Sequence, residues 1–269
     1  MTGLTRIIAV KSISISLIRS GRAMLRKLIG LVFICSVFIF SGCTTIYNPA
    51  TGNRETLFIN TQTEVNLGKD MAKQISSDMK LLNDPVRQKR LDEIGKRIAA
   101  ISDRTDLIYS FNIVKDKEFN AFAIPGGTVY VNDGLLDAAS DDELAAVLGH
   151  EVGHIAARHS VKRLQAVLGY QLISSIALGL TGQGQVLQAV DVVFNVVTLG
   201  YSRKDEYLAD KLGVKYSKAA GFNPQGMVTF FQKLKAEGKN TSLQLVFLSS
   251  HPPIDERIKQ VEKEIAALN

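Results

Sequence analysis

Two histidines four positions apart, with a glutamate after the first, form the segment His150-Glu151-Val152-Gly153-His154. On an α-helix, four residues turn through about 400°, so both imidazoles share one face and can bind a single metal ion. Glu151 stands beside that face. It is poorly placed to ligate the same ion but can take the proton of a water attacking there. A catalytic zinc takes three protein ligands and keeps one position open, so a third donor must come from elsewhere. The segment Arg203-Lys204-Asp205-Glu206-Tyr207-Leu208-Ala209-Asp210 offers two carboxylates four apart on one helix face. Glu206 is the expected third ligand. Asp210, one turn on, is placed to accept the other ring N–H of a ligating histidine, taken as His150, which would set its tautomer and raise its basicity. His159 lies nine positions beyond His150, on the opposite side of a continuous helix, and reads as a packing or surface histidine.

The elements around these residues follow from hydrophobic period. Ser140 followed by Glu143 is a capping box, and Leu144, Val147, Leu148 and Ile155 continue as a helical stripe, which predicts a helix over 141–168. Helical spacing also covers 63–82 and 84–101. It gives way to period-two alternation at Leu107, Tyr109, Phe111 and Ile113, the mark of a strand. Ala121 to Ile124 and Thr128 to Val131 flank Pro125-Gly126-Gly127 and predict a strand pair. Asn223-Pro224 provides a cap and a first-turn proline for a helix with Met227, Phe230, Phe231 and Leu234. A final helix carries Ile254, Ile258, Val261 and Ile265 on one face. The uncharged run 164–180 and the interrupted run 186–199 read as a buried or membrane-brushing helical pair.

At 269 residues and 46% hydrophobic, the chain can bury one substantial core. The formal charge of +6 is concentrated at the start, where Arg6, Lys11, Arg19, Arg22, Arg26 and Lys27 occur without an acid before residue 43. Taking those six from the 32 Lys and Arg leaves 26 to set against 26 Asp and Glu. The remainder is formally neutral, which removes the electrostatic case for a nucleic-acid binder.

The leader has the parts of an export signal: basic Arg26 and Lys27, an apolar run from Leu28 to Phe40, then Ser41 and Gly42 before Cys43. Phe40-Ser41-Gly42-Cys43 resembles a bacterial lipobox, which implies cleavage before Cys43, acylation of its thiol and a lipid anchor. Met24 is an alternative start that shortens the leader. Both cysteines, Cys35 and Cys43, precede the body, which therefore forms no internal disulfide. The expected division is a signal peptide over 1–42, a lipidated cysteine and turn-rich tether over 43–62, and a peptidase domain over 63–269. Thr45 is not the aspartate of the usual inner-membrane retention signal, which favours the outer membrane.

His150 to His154, followed by Glu206-x-x-Ala209-Asp210, resembles the gluzincin metallopeptidases related to the CAAX prenyl protease and the heat-shock peptidase HtpX, in particular their lipid-anchored bacterial members. The likeness includes Asn120-Ala121-Phe122-Ala123 and Ser250-His251-Pro252 and runs from about Asn48 to the C-terminus. It implies an α+β, mainly helical domain with a small sheet beside the active-site helix, one Zn2+ per chain, and protein or peptide substrates in the periplasm. Asn120, Ala121, Phe122 and Ala123 resemble the family's edge strand, to which an extended peptide can add. Two active-site roles are open to His251: stabilising the oxyanion, or occupying the fourth zinc position and holding the enzyme latent. Two rival functions stand beside envelope-protein hydrolysis, a membrane-embedded prenyl-type protease and a non-catalytic zinc-containing assembly factor or chaperone.

Overall fold

The computed structural model describes residues 44–177, 200–237 and 254–268, which begin with two paired strands, β1 (Thr44–Asn48) and β2 (Asn53–Leu57). This stretch had the composition of a tether, yet it is packed. Asn48 is buried, and its Nδ2 donates to Glu55 Oε2 (3.1 Å) and to the Ala156 carbonyl (3.2 Å). Gln165 Oε1 accepts from the backbone N–H groups of Phe58 and Ile59 at 3.0 and 2.9 Å. Turn residues show where a chain reverses but not whether its flanks pair.

Helix α1 (Thr61–Asp78) starts where Asn60 accepts from Thr63 N–H. Helix α2 (Pro85–Ala100) starts where Asp84 accepts from Val86 and Arg87 N–H, with Pro85 at the first position. Strands β3 (Ser110–Val114), β4 (Ala121–Ile124) and β5 (Thr128–Asn132) form a sheet in the order β3-β5-β4. The expected pair is antiparallel, with Ala121 opposite Val131, while β3 runs parallel to β5. The β4–β5 turn needs Gly127, whose φ is +104° and whose added Cβ would stand 2.7 Å from the Ile108 carbonyl oxygen. Among the described residues, β4 has no strand on its outer edge.

After the short α3 (Asp133–Ala138) comes α4 (Asp141–Ala156), opened by the expected capping box of Ser140 and Glu143. Every residue from Glu143 to Ala156 is buried. The stripe seen in sequence therefore understates this helix, which is covered all round by α2, the sheet and later helices. Its end corrects the expected span of 141–168. Arg158 takes φ +57° and breaks the helix, and α5 (His159–Ala177) begins at once. Period cannot reveal such a break, because Arg158 is held left-handed by distant partners: Nη1 donates to Glu64 Oε2 (2.8 Å) and Nη2 to Thr61 Oγ1 (3.0 Å).

Helices α6 (Arg203–Ala219), α7 (Gly226–Glu237) and α8 (Ile254–Ala267) complete the described body. Asn223 Oδ1 accepts from Gln225 N–H, and α7 starts beyond Pro224, so these residues form a turn before the helix rather than its cap. The second half of the 164–199 pair lies outside the described residues. Among those that are described, no helix is long and apolar enough to cross a membrane.

The α4–α6 crossing positions the site. A Cβ on Gly149 would lie 2.9 Å from the Gly213 carbonyl oxygen, and one on Gly213 would lie 2.9 Å from the His150 backbone nitrogen. Only hydrogen at both positions lets the backbones approach so closely. Gly213→Ala must push the helices apart and is expected to cost about 1–3 kcal/mol. Urea denaturation measures this, and an unchanged midpoint would show that the crossing tolerates the extra methyl.

Candidate active site

Residues on α4 and α6 converge at that crossing. His150 Nε2 and His154 Nε2 are 3.0 Å apart, a separation compatible with two zinc–nitrogen bonds of about 2.0–2.1 Å. Glu206 closes the group, with Oε2 at 3.7 Å from His150 Nε2 and Oε1 at 3.5 Å from His154 Nε2. All three ligand atoms lie within 4.8 Å of one another, and all three residues are buried. Two imidazoles and one carboxylate are the donor set that suits zinc, so the residues present fit the ion the pattern implied. Glu151 is buried on the same helix, one position from His150.

Asp210 stands where the spacing put it, with Oδ1 2.9 Å from His150 Nδ1. The sequence analysis missed what lies behind it. Arg257 of α8 is wholly buried and grips Asp210 with two bonds, Nε to Oδ2 at 2.7 Å and Nη2 to Oδ1 at 2.6 Å. Its Nη1 lies 3.0 Å from Glu206 Oε2. One guanidinium thus ties Glu206 to the carboxylate behind His150. Burial alone would raise the Asp210 pKa, but Arg257 outweighs it and holds the carboxyl down at about 2. Burial likewise opposes a charge on His150, yet the Asp210 carboxylate holds that imidazole above its ordinary range. A signal for Arg257 was available: it is a charge three residues after Ile254 and four before Val261, inside an apolar stripe.

His154 is held differently. Tyr201 stacks on its ring with centroids 4.0 Å apart, and the Tyr201 hydroxyl lies 2.7 Å from Ser160 Oγ. His159 is not across the helix: the break at Arg158 turns it back until its Nδ1 lies 2.8 Å from His154 Nδ1. Burial pushes the His159 pKa down to about 4 and keeps the ring neutral. A cavity of about 490 Å³ lined by His159, Lys162, Tyr201 and Asp205 opens beside His159. A larger hollow, about 840 Å³, is lined by α1 side chains alone and shares no residue with the cluster.

Ala121 and Ala123 of β4 face the core shared with α4, while Phe122 stacks on Tyr130 with centroids 5.1 Å apart. Asn120 precedes this strand, and its carbonyl accepts from Asn132 N–H. His251 and Cys43 lie outside the described residues.

A buried pair of histidines one helical turn apart, a glutamate between them and a second glutamate from a crossing helix define a metallopeptidase domain of the gluzincin class. Residues 85–265 match peptidase family M48, and the chain belongs to that family. It is 31% identical to the mitochondrial metalloendopeptidase OMA1 of Schizosaccharomyces pombe over 81% of this chain and 65% of that protein. Metalloprotease YcaL of Escherichia coli is 33% identical over 66% of this chain and 70% of its own length. The β-barrel assembly-enhancing protease of E. coli is 25% identical over 72% of this chain but only 42% of that protein. The chain thus spans from under half to about two thirds of these relatives.

Proposed function

We propose that this chain is a zinc-dependent endopeptidase that hydrolyses proteins of a bacterial envelope, in quality control, while held to the membrane by lipid on Cys43. The buried convergence of His150, His154 and Glu206 carries the reading, because burying two imidazoles beside a carboxylate serves a metal better than it serves packing. Zinc held there would supply Lewis acidity towards water and a peptide carbonyl. Glu151 takes the proton of the attacking water as its oxygen bonds to the carbonyl carbon. The C–N bond then breaks, and Glu151 delivers the proton to the leaving amine. Asp210 accepts from His150 Nδ1–H, which leaves Nε2 free of its proton and able to hold a zinc ion. The open edge of β4, with Asn120 to Ala123, suits an extended substrate that adds as a further strand.

Relatives named as β-barrel assembly-enhancing proteases support an envelope setting, and the leader supports export with lipidation. Within the family, the motif and its spacing resemble those of the CAAX-protease and HtpX type. The test of function is metal and turnover together. Purified residues 44–269 should carry one zinc per chain and digest an unfolded protein, lose both to a strong chelator and regain both with zinc. His150→Ala, His154→Ala and Glu206→Ala should each abolish stoichiometric zinc, and full occupancy in the Glu206 variant would remove that residue from the ligand set.

The anchor has its own expected result. Cys43→Ser should block lipid attachment, and the body exported behind an ordinary cleavable signal should be periplasmic with zinc and activity intact. A body without Cys43 that still resists a high-salt, high-pH wash would show a second hold on the membrane.

A further inference from the structure

The two histidines of the metal group are backed by different chemistry. His150 rests on a carboxylate locked by Arg257, whereas His154 rests on a second imidazole, His159, through a 2.8 Å contact between Nδ1 atoms. His159 Nε2 in turn faces Asp205 Oδ1 at 3.5 Å. We propose that His159 is a positioning residue for the metal site, acting through His154 and itself oriented by Asp205. This rests on the zinc-peptidase reading above.

Proton bookkeeping along the chain of atoms supports a single arrangement. A neutral His154 that turns Nε2 to a metal carries its proton on Nδ1, and that N–H donates to the bare Nδ1 of His159. His159 then carries its own proton on Nε2, on the side of Asp205. Asp205 is fixed independently, because its carboxylate forms the capping box of α6 with Ser202, accepting from Ser202 Oγ at 2.6 Å. The same helix that brings Glu206 to the metal therefore also orients the imidazole behind His154.

The backbone supports this placement. Arg158 is the one described non-glycine residue with positive φ, and a left-handed residue persists only where its surroundings over-determine it. Here buried Glu64 and half-buried Thr61 grip its guanidinium. Had α4 continued, the residue after Arg158 would have pointed away from His154. The break instead sets His159 on it, with ring centroids 4.9 Å apart at 72°. Tyr201 covers another face of the His154 ring and leaves it little freedom to turn. A neutral imidazole in this place fixes the tautomer without adding a further negative charge to a site that already buries Glu151, Glu206 and Asp210 beside Arg257.

The experiment uses the whole body, with zinc affinity read by chelator competition and geometry by the visible spectrum of the cobalt-substituted form. His159→Phe keeps a ring but removes the acceptor, and should weaken zinc binding about 10–100-fold, the usual cost of losing a partner behind a metal ligand. Its cobalt spectrum should also change. In His159→Gln the side-chain carbonyl can accept from His154, and that variant should recover most of the loss. Wild-type zinc affinity and an unchanged cobalt spectrum in His159→Phe would overturn the proposal while leaving the peptidase reading intact. Failure of the wild-type chain itself to bind zinc would overturn both. Folding of the variants is not needed for a second arm: nitrogen-15 spectra of the zinc-loaded wild type should show His159 protonated at Nε2 and bare at Nδ1. The opposite tautomer would refute the assignment.

Discussion

Glu151→Gln is expected to retain one zinc per chain while lowering peptide hydrolysis by a factor on the order of 10²–10⁴, the usual contribution of a general base. The substitution replaces one carboxylate oxygen by an amide nitrogen of nearly the same size, so the buried side chain keeps its packing but can no longer accept and return a proton. His150, His154 and Glu206 are untouched, and the metal should stay. Because the interaction lost belongs to the transition state, kcat should fall far more than KM changes. Zinc analysis beside turnover of an unfolded protein measures both halves. Activity near wild type would dismiss Glu151 as the base, while full function in the cell without turnover would favour a zinc-containing assembly factor. Envelope proteins that accumulate uncleaved in the variant would identify substrates.

Arg257→Met should destabilise the fold strongly. The residue is fully buried, and its guanidinium faces Asp210 and Glu206 together. Methionine fills much of the space but leaves two buried carboxylates without that cation. Removing one partner of a buried ion pair costs about 3–5 kcal/mol. For a domain of this size, that is a fall in melting temperature on the order of 10 °C. Asp210 also supplies a pH signature in the metal-free protein. Its folded pKa, about 2, lies below the ordinary carboxylate range, so its ionised form adds stability that is fully present above the unfolded pKa and is lost as pH falls through the folded one. Without Arg257, burial raises that pKa. The difference between wild type and variant should therefore be greatest near neutral pH and narrow as pH falls through the variant's raised pKa, above the ordinary value of about 4, towards the wild-type value of about 2. A constant difference across that window would place the effect in packing rather than in the carboxylate. Zinc binding should weaken as well, since Asp210 would no longer be held against His150.

The helix with its two histidines, Glu151 beside them and the capping box at its start were legible because each depends on positions within a few residues. A turn of 100° per residue makes His150 and His154 neighbours whatever surrounds them. Glu206 and Asp210 were legible as a pair four apart, and their pairing with the histidines came from the demands of a three-ligand metal. The strand pair around Gly126-Gly127 was equally local. Where the expectations erred, distance along the chain was the reason. Asn48 meets the end of the active-site helix, so a stretch composed like a tether is packed. Arg158 turns left-handed because Glu64 and Thr61 hold it, so a helix that period alone extends to 168 stops at Ala156. His159 then faces His154, not the far side.

Residue types and spacing determined the donor set: two imidazoles one helical turn apart, a glutamate between them, and a carboxylate pair further on that could complete a metal site. Tertiary structure decided how those groups are held. Two glycines let α4 and α6 cross closely enough for Glu206 to reach the histidines, and a buried arginine from the last helix ties Asp210 to Glu206. Neither fact has a period or a motif, because each contact joins residues whose separation in sequence carries no geometric information until the backbone has closed around them.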